Sequence, residues 1–226
     1  MTNLLKDPQV ARTLDRMHEA AKGDWWKLLV RIPIALAKMA MGKSFSEAVT
    51  PESMKDVYIP IDHDEGEFMY LLARSINAKK IVEFGTSFGI STIYLAAAVR
   101  DNGGGQVIGT EIEPGKHKTA TANLAEAGLG QYVDIRLGDA LETLKTLPDG
   151  VDLVLLDGWK DLSQPVLELV KPRLRKGAIV VADNIYTFKK SLKPYVDYMQ
   201  CGRNGFESTT LSLSDGFEFS VYLGNT

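Results

Sequence analysis

Two short stretches, Asp157-Gly158-Trp159-Lys160 and Asp183-Asn184, set two carboxylates, one amide oxygen and one lysine at the ends of the apolar runs DLVLLD and AIVVAD. Carboxylates with an amide make a hard, all-oxygen donor set that suits Mg²⁺, Ca²⁺ or Mn²⁺. Zinc prefers nitrogen and sulfur, and His18, His63 and His117 are scattered along the chain. Lys160 lies one short turn past Asp157, close enough to share its cavity. A lysine partly desolvated beside a cation loses its proton readily enough to serve as general base. Either stretch alone also reads as a surface turn. What separates the two readings is where the stretches fall.

Three more apolar runs end in residues of interest. KIVEFG leads through Thr86-Ser87-Phe88 to Gly89-Ile90-Ser91. Gly85 and Gly89 permit a tight turn into a helix whose N-terminus favours a negative group. A dinucleotide loop needs glycine where Ser87 stands, so a cofactor without phosphates fits better than a nicotinamide one. Glu111 lies 26 residues after Gly85, where an acid can accept from both ribose hydroxyls. After YVDIRLG, Asp139 either caps the next helix or accepts from an adenine amino group while the Ala140 backbone meets the ring edge.

These residues meet only if the runs are neighbouring strands. KIVEFG (80–85), QVIGTEI (106–112), YVDIRLG (132–138), DLVLLD (152–157) and AIVVAD (178–183) alternate with helical patterns at 89–100, 115–128, 139–147, 162–174 and 187–199. Unbroken apolar runs are strands buried on both faces. Their alternation with helices predicts an α/β, doubly wound, mostly parallel sheet, with ligands beyond the carboxyl ends of its strands. FESTTLSLS and FEFSVYLG flank Asp215-Gly216, an antiparallel C-terminal hairpin that completes a seven-stranded sheet. Upstream, Val10, Leu14, Met17 and Ala21 recur at helical spacing, and residues 64–77 read as another helix. Residues 1–55 are therefore expected as a helical cap on a domain spanning 56–226.

The segment Trp25 to Met41 is apolar but short for a membrane span and is interrupted by Lys27, Arg31 and Lys38. Those cations fall on one stripe, with Leu29, Ile32, Leu36 and Met39 roughly opposite. Pro33 predicts a break into two short helices, packed on the main domain or across a homodimer. The alternative, an interfacial membrane helix on a non-catalytic binding protein, lacks a second anchoring signal. With 45% hydrophobic and 24% charged residues, the 226-residue chain has the composition of a soluble globular protein. A net charge of −3 argues against a nucleic-acid partner. The only cysteine, Cys201, rules out an intrachain disulfide, and the first residues lack the pattern of a secretory signal, so a cytoplasmic location is expected.

From about Tyr58 onward the chain resembles the catechol O-methyltransferase family and the related metal-dependent O-methyltransferases, caffeoyl-CoA O-methyltransferases among them. DLVLLDGWKD and LRKGAIVVADN carry the most specific part of the likeness; IVEFGTSFGIST and GTEIEP agree with it. The resemblance implies a Rossmann-like methyltransferase using S-adenosylmethionine and a divalent cation, Mg²⁺ foremost, on a small aromatic acceptor with vicinal oxygens. It implies Asp157, Asp183 and Asn184 as metal ligands and Lys160 as base. Glu111 would hold the ribose, Ile112 would pack on the adenine, and Asp139 and Ala140 would lie at its edge. Ile61, Glu83, Gly85 and Ser91 would line the methionyl side, with Asp157 and Trp159 completing the cofactor wall. Gly158 departs from the pattern, standing where catechol O-methyltransferase has a histidine beside the adenine. Thr209 or Thr210 falls where that enzyme has an acid near the second hydroxyl. The competing expectation is a metal-independent methyltransferase of the same fold acting on another small molecule.

Overall fold

The apolar runs become the centre of one sheet. In the computed structural model, which describes residues 5, 7–43, 45–57 and 61–224, β4 (Val151–Leu156) is buried at every position. Strands β1 (Lys80–Phe84) and β2 (Gln106–Glu111) are buried at all but their first. With β3 (Val133–Leu137) and β5 (Leu174–Ala182) they pair in parallel. The strands β6 (Phe206–Leu211) and β7 (Phe217–Tyr222) form the expected hairpin, and β7 adds antiparallel to β5. The order is β3-β2-β1-β4-β5-β7-β6, so the chain winds outward twice and the switch point falls between β1 and β4. Pairing of Phe84 with Leu156, Leu156 with Ala182, and Glu111 with Leu137 brings the strand ends out on one side of the sheet.

The described helices are α1 (Pro8–Ala40), α2 (Phe45–Ala48), α3 (Pro51–Met54), α4 (His63–Ser75), α5 (Ile90–Asp101), α6 (Pro114–Glu126), α7 (Ala140–Thr143), α8 (Ser163–Val170) and α9 (Lys189–Gln200). One core layer joins α1, α4 and α5 to the sheet through Met17, Met69, Ile93 and Leu153. The other packs α8 and α9 against the opposite face through Leu167, Leu192 and Val180. Tyr58, where the family likeness begins, lies outside the described residues. Among the described residues no helix is long and apolar enough to cross a membrane.

The first helix departs from the sequence expectation. Pro33 does not divide it; one helix runs from Pro8 to Ala40. Pro33 and Leu29 are both exposed, so the carbonyl that loses its intrahelical donor lies on a face open to water. The first half packs as the spacing predicts, with Val10, Leu14, Met17 and Ala21 buried. The second half does not: Leu29, Ile32 and Leu36 are 57%, 48% and 59% exposed. What holds this half is polar. Asp56 accepts from Arg31 at 2.8 Å, and its backbone oxygen accepts from the Lys27 ammonium at 2.7 Å.

His18 on α1 stacks against His63 at the start of α4, centroids 3.7 Å apart, and its Nε2 has no hydrogen-bond partner among the described residues. Burial, aided by His63, pushes His18 down from 6.5 to about 4. The unfolded chain then takes up a proton near pH 6.5 that the folded chain refuses, so stability is lost as pH falls from 6.5 toward 4. At pH 5 the loss amounts to about 2 kcal/mol. Urea denaturation at pH 7 and pH 5 should show this loss in the wild type and a smaller one in His18→Gln. Equal losses in the two proteins would remove His18 as the cause.

Candidate functional site

A cavity of about 1270 Å³ opens beyond the carboxyl ends of the five parallel strands. Along the strand order, Asp139 and Ala140 line it after β3, Glu111 and Ile112 at the end of β2, and Gly85 after β1. Asp157, Trp159 and Lys160 follow β4, and Asn184 follows β5. A small adjoining pocket takes Ile61 and Ser91, and shares Gly85 and Asp157 with the main cavity. Glu83 and Asp183 line neither; both are buried behind the walls.

The β1 loop is built for close approach. Gly85 has φ of 100°, and a Cβ there would lie 2.7 Å from the Gly158 backbone. A Cβ on Gly158 would in turn meet the Phe84 ring at 2.6 Å. Thus the space a histidine side chain would leave from is filled by Phe84, which itself lines the cavity. Ser87 adopts a left-handed φ of 50° and aims its N–H at Glu111, 2.8 Å from Oε2. The other carboxylate oxygen accepts from the Glu113 N–H at 2.8 Å. Burial pushes the Glu111 carboxyl up, while these N–H groups and the Lys116 ammonium favour its charge. A lone pair remains on each oxygen for a diol. Asp139 does cap α7, accepting from the Leu141 N–H at 2.9 Å, and also faces the cavity.

Glu83 is fully buried and pushed up to about 7 by that burial. Its Oε1 accepts from the Ser91 hydroxyl at 2.6 Å, and its Oε2 from Thr86 at 2.9 Å and Thr92 at 2.5 Å. The carboxyl therefore ties strand, turn and helix together from behind. The loop that lines the cavity is held in shape by it.

On the other side, the Lys160 ammonium donates to Asp157 Oδ1 at 2.9 Å, with the lysine side chain only 5% exposed. Asp183 is 3% exposed. Burial pushes it far above the ordinary carboxylate range; Asp157 and Glu65 add to the effect, and Lys160 opposes it. Asn184 takes a left-handed φ of 64°, tolerated by asparagine, and faces the cavity. Two carboxylates that repel, with one lysine bonded to Asp157 and acting on Asp183 only through its charge, are short of positive charge. No group of three His, Cys, Asp or Glu residues forms a metal cluster among the described residues, so a third protein donor would have to be the Asn184 amide. By charge and donor type this set fits a hard divalent cation.

Two residues of the site had not been singled out from the sequence. Glu65 on α4 is 4% exposed, accepts from the Asp62 N–H at 2.7 Å, and acts electrostatically on Asp183. Its sequence signal is the capping box Asp62-x-x-Glu65, which marks a helix start and nothing more. Lys116, 6% exposed, sits 5.2 Å from the Phe88 ring centroid, and burial pushes its pKa down. Thr209 and Thr210 do not line the cavity; the Thr210 hydroxyl donates to the buried Glu218 at 2.5 Å.

A family described as "methyltransferase domain" matches residues 82–185. A catechol O-methyltransferase of Mycobacterium tuberculosis is 36% identical over 128 residues, covering 56% of this chain and 57% of that protein. Another, of Niastella koreensis, is 33% identical over 153 residues, 66% of each chain. The alignments thus span less than two thirds of either relative. Among solved structures, cofactor-bound Rv0187 from MTB superposes with a TM-score of 0.70 at 26% identity, covering 86% of this chain and 90% of that one.

Proposed function

Because the chain belongs to the class I S-adenosylmethionine-dependent O-methyltransferase family, we propose that it methylates a hydroxyl of a small aromatic acceptor bearing vicinal oxygens, with a divalent cation assisting. The observation that carries this reading is the Lys160–Asp157 pair beside Asp183 and Asn184, in the cavity that also holds Glu111.

When bound, S-adenosylmethionine would supply an electrophilic methyl, and a divalent cation would supply charge that lowers the pKa of an acceptor hydroxyl. Glu111 would accept from the ribose hydroxyls, with Ile112, Asp139 and Ala140 around the adenine. Gly85, Ile61 and Ser91 would border the methionyl group, and Trp159 the methyl. Asp157, Asp183 and Asn184 would hold the cation. Lys160 is the proposed base: with Asp157 engaged elsewhere, its ammonium loses a counter-charge and would release a proton to solvent, and the neutral amine would then take the acceptor's proton. Holding the oxygen in line with the methyl could contribute up to roughly 7–11 kcal/mol at the ideal limit. Residues 1–55 are proposed as a cap over the acceptor; Met39 and Met54 from this part of the chain line the cavity.

Methylation of a catechol panel tests this reading. Activity should disappear with EDTA and return with added Mg²⁺. Turnover indifferent to chelation would take the cation out of the scheme.

A further inference from the structure

Lys116 is held where a lysine is disfavoured. It stands in the first turn of α6, where the helix dipole repels positive charge, and it is only 6% exposed. Burial pushes its pKa down, and Arg31 of α1 adds to the effect. Among the described residues no carboxylate pairs with its ammonium; Glu111 at the end of β2, Glu113 at the N-cap of α6, and Asp56 act on it through charge. Its contacts are with the loop after β1 instead. The Nζ comes within 3.4 Å of Ser87 Oγ and 5.2 Å of the Phe88 ring centroid. The backbone N–H of the same residue donates to Glu113 Oε2 at 2.6 Å. Ser87 and Glu113 are the residues whose own N–H groups aim the Glu111 carboxylate, each at 2.8 Å. Lys116 therefore touches both arms of this cradle, one through its ammonium and the other through its backbone. Ser87 holds a left-handed φ of 50°, uncommon for serine, and an anchored side chain helps to keep it there. The lysine charge also favours the ionised form of Glu111, which burial opposes.

We propose that Lys116 is a positioning residue for cofactor binding: it braces Ser87 and Glu113 around Glu111 and gives that carboxylate a positive neighbour, so that a ribose diol meets a charged acceptor already aimed at it. This rests on the reading above in which Glu111 accepts from the ribose hydroxyls. It adds a residue that acts through Glu111 and fixes the pH range over which the cofactor binds. A carboxyl raised by burial takes up a proton as pH falls, and one of its acceptor oxygens then becomes a donor. Removing the lysine charge raises Glu111 further, so affinity is lost at a higher pH. Glu113, Asp56 and Arg31, the other charged groups that act on Lys116, stay in place when it alone is replaced.

The test is calorimetry of S-adenosylhomocysteine binding to the full chain, without acceptor or metal, at about pH 8 and about pH 6. Lys116→Met keeps the length and apolar stem of the side chain. It should weaken binding by about two- to fivefold at pH 8 and by about tenfold at pH 6, with a smaller change between the two pH values in the wild type. Glu111→Gln should bind more weakly than the wild type at both pH values, by nearly the same factor, because its amide does not titrate. Equal weakening of Lys116→Met at the two pH values is what a merely structural lysine predicts, and it overturns the inference. If Lys116→Met does not fold, Lys116→Gln takes its place with the same expectations; if neither folds, the lysine serves the fold and the inference is overturned. In these cases tight binding by the wild type leaves the S-adenosylmethionine reading standing. A Glu111→Gln variant that binds as the wild type does removes the ribose assignment, and the inference with it. A wild type that binds no S-adenosylhomocysteine at either pH removes the cofactor reading itself.

Discussion

Replacing Lys160 by methionine should lower kcat/KM by about 10²–10⁴-fold, the range a positioned general base contributes. Methionine keeps the length and apolar stem of the side chain, so the 5% exposed pocket around it stays filled. What disappears is the amine, and with it the positive group 2.9 Å from Asp157. Two consequences follow that a merely structural lysine would not produce together. Affinity for S-adenosylhomocysteine, measured by calorimetry, should be nearly unchanged, because the Glu111 carboxylate is held by the Ser87 and Glu113 N–H groups and not by Lys160. Thermal stability without metal should fall, since Asp157 and Asp183 then face each other with no neighbouring cation, and Mg²⁺ should restore much of it. A variant retaining more than about a third of wild-type kcat/KM, well outside the expected range, would exclude Lys160 as the base.

How much of this site can be read from the chain depends on whether a residue's role follows from its place on a strand. Gly85, Glu111, Asp139, Asp157 and Asn184 were legible because apolar runs of length and texture suited to buried strands fix where the chain leaves the sheet. The doubly wound order and the Asp215-Gly216 hairpin follow from the same patterning. Residues whose roles depend on contacts distant in sequence were not legible. Glu65 reads as a capping residue, and only the docking of α4 brings its charge toward Asp183. Lys116 reads as a solvated helix lysine until Phe88 and Glu111 close around it. The Gly158 departure from the family pattern is a steric requirement, because Phe84 already occupies the space a side chain there would need. Pro33 misleads for a related reason: its cost depends on whether water reaches the freed carbonyl, which one-dimensional periodicity does not encode.

Asp183→Asn should show the opposite sign in stability and in function. The buried carboxyl of Asp183 is held far above the ordinary carboxylate range by burial first and by Asp157 second. An acid whose folded-state pKa is raised binds a proton in the folded chain that the unfolded chain has released. Stability therefore declines as pH climbs above 3.8 through the raised value. Asparagine removes that burden at similar volume. Without metal, the variant should melt at a higher temperature than the wild type at pH 8, and the gap should close toward pH 4. Its Mg²⁺ affinity should nonetheless drop by about 100-fold or more, since even residues supporting a metal ligand are worth 10–100-fold. kcat/KM for a catechol at fixed Mg²⁺ should fall with it. A carboxylate that burial disfavours is one that a cation-binding role would retain. A purely structural Asp183 predicts lower stability and unchanged Mg²⁺ binding in the same variant, so melting curves with and without Mg²⁺ at the two pH values decide between the accounts.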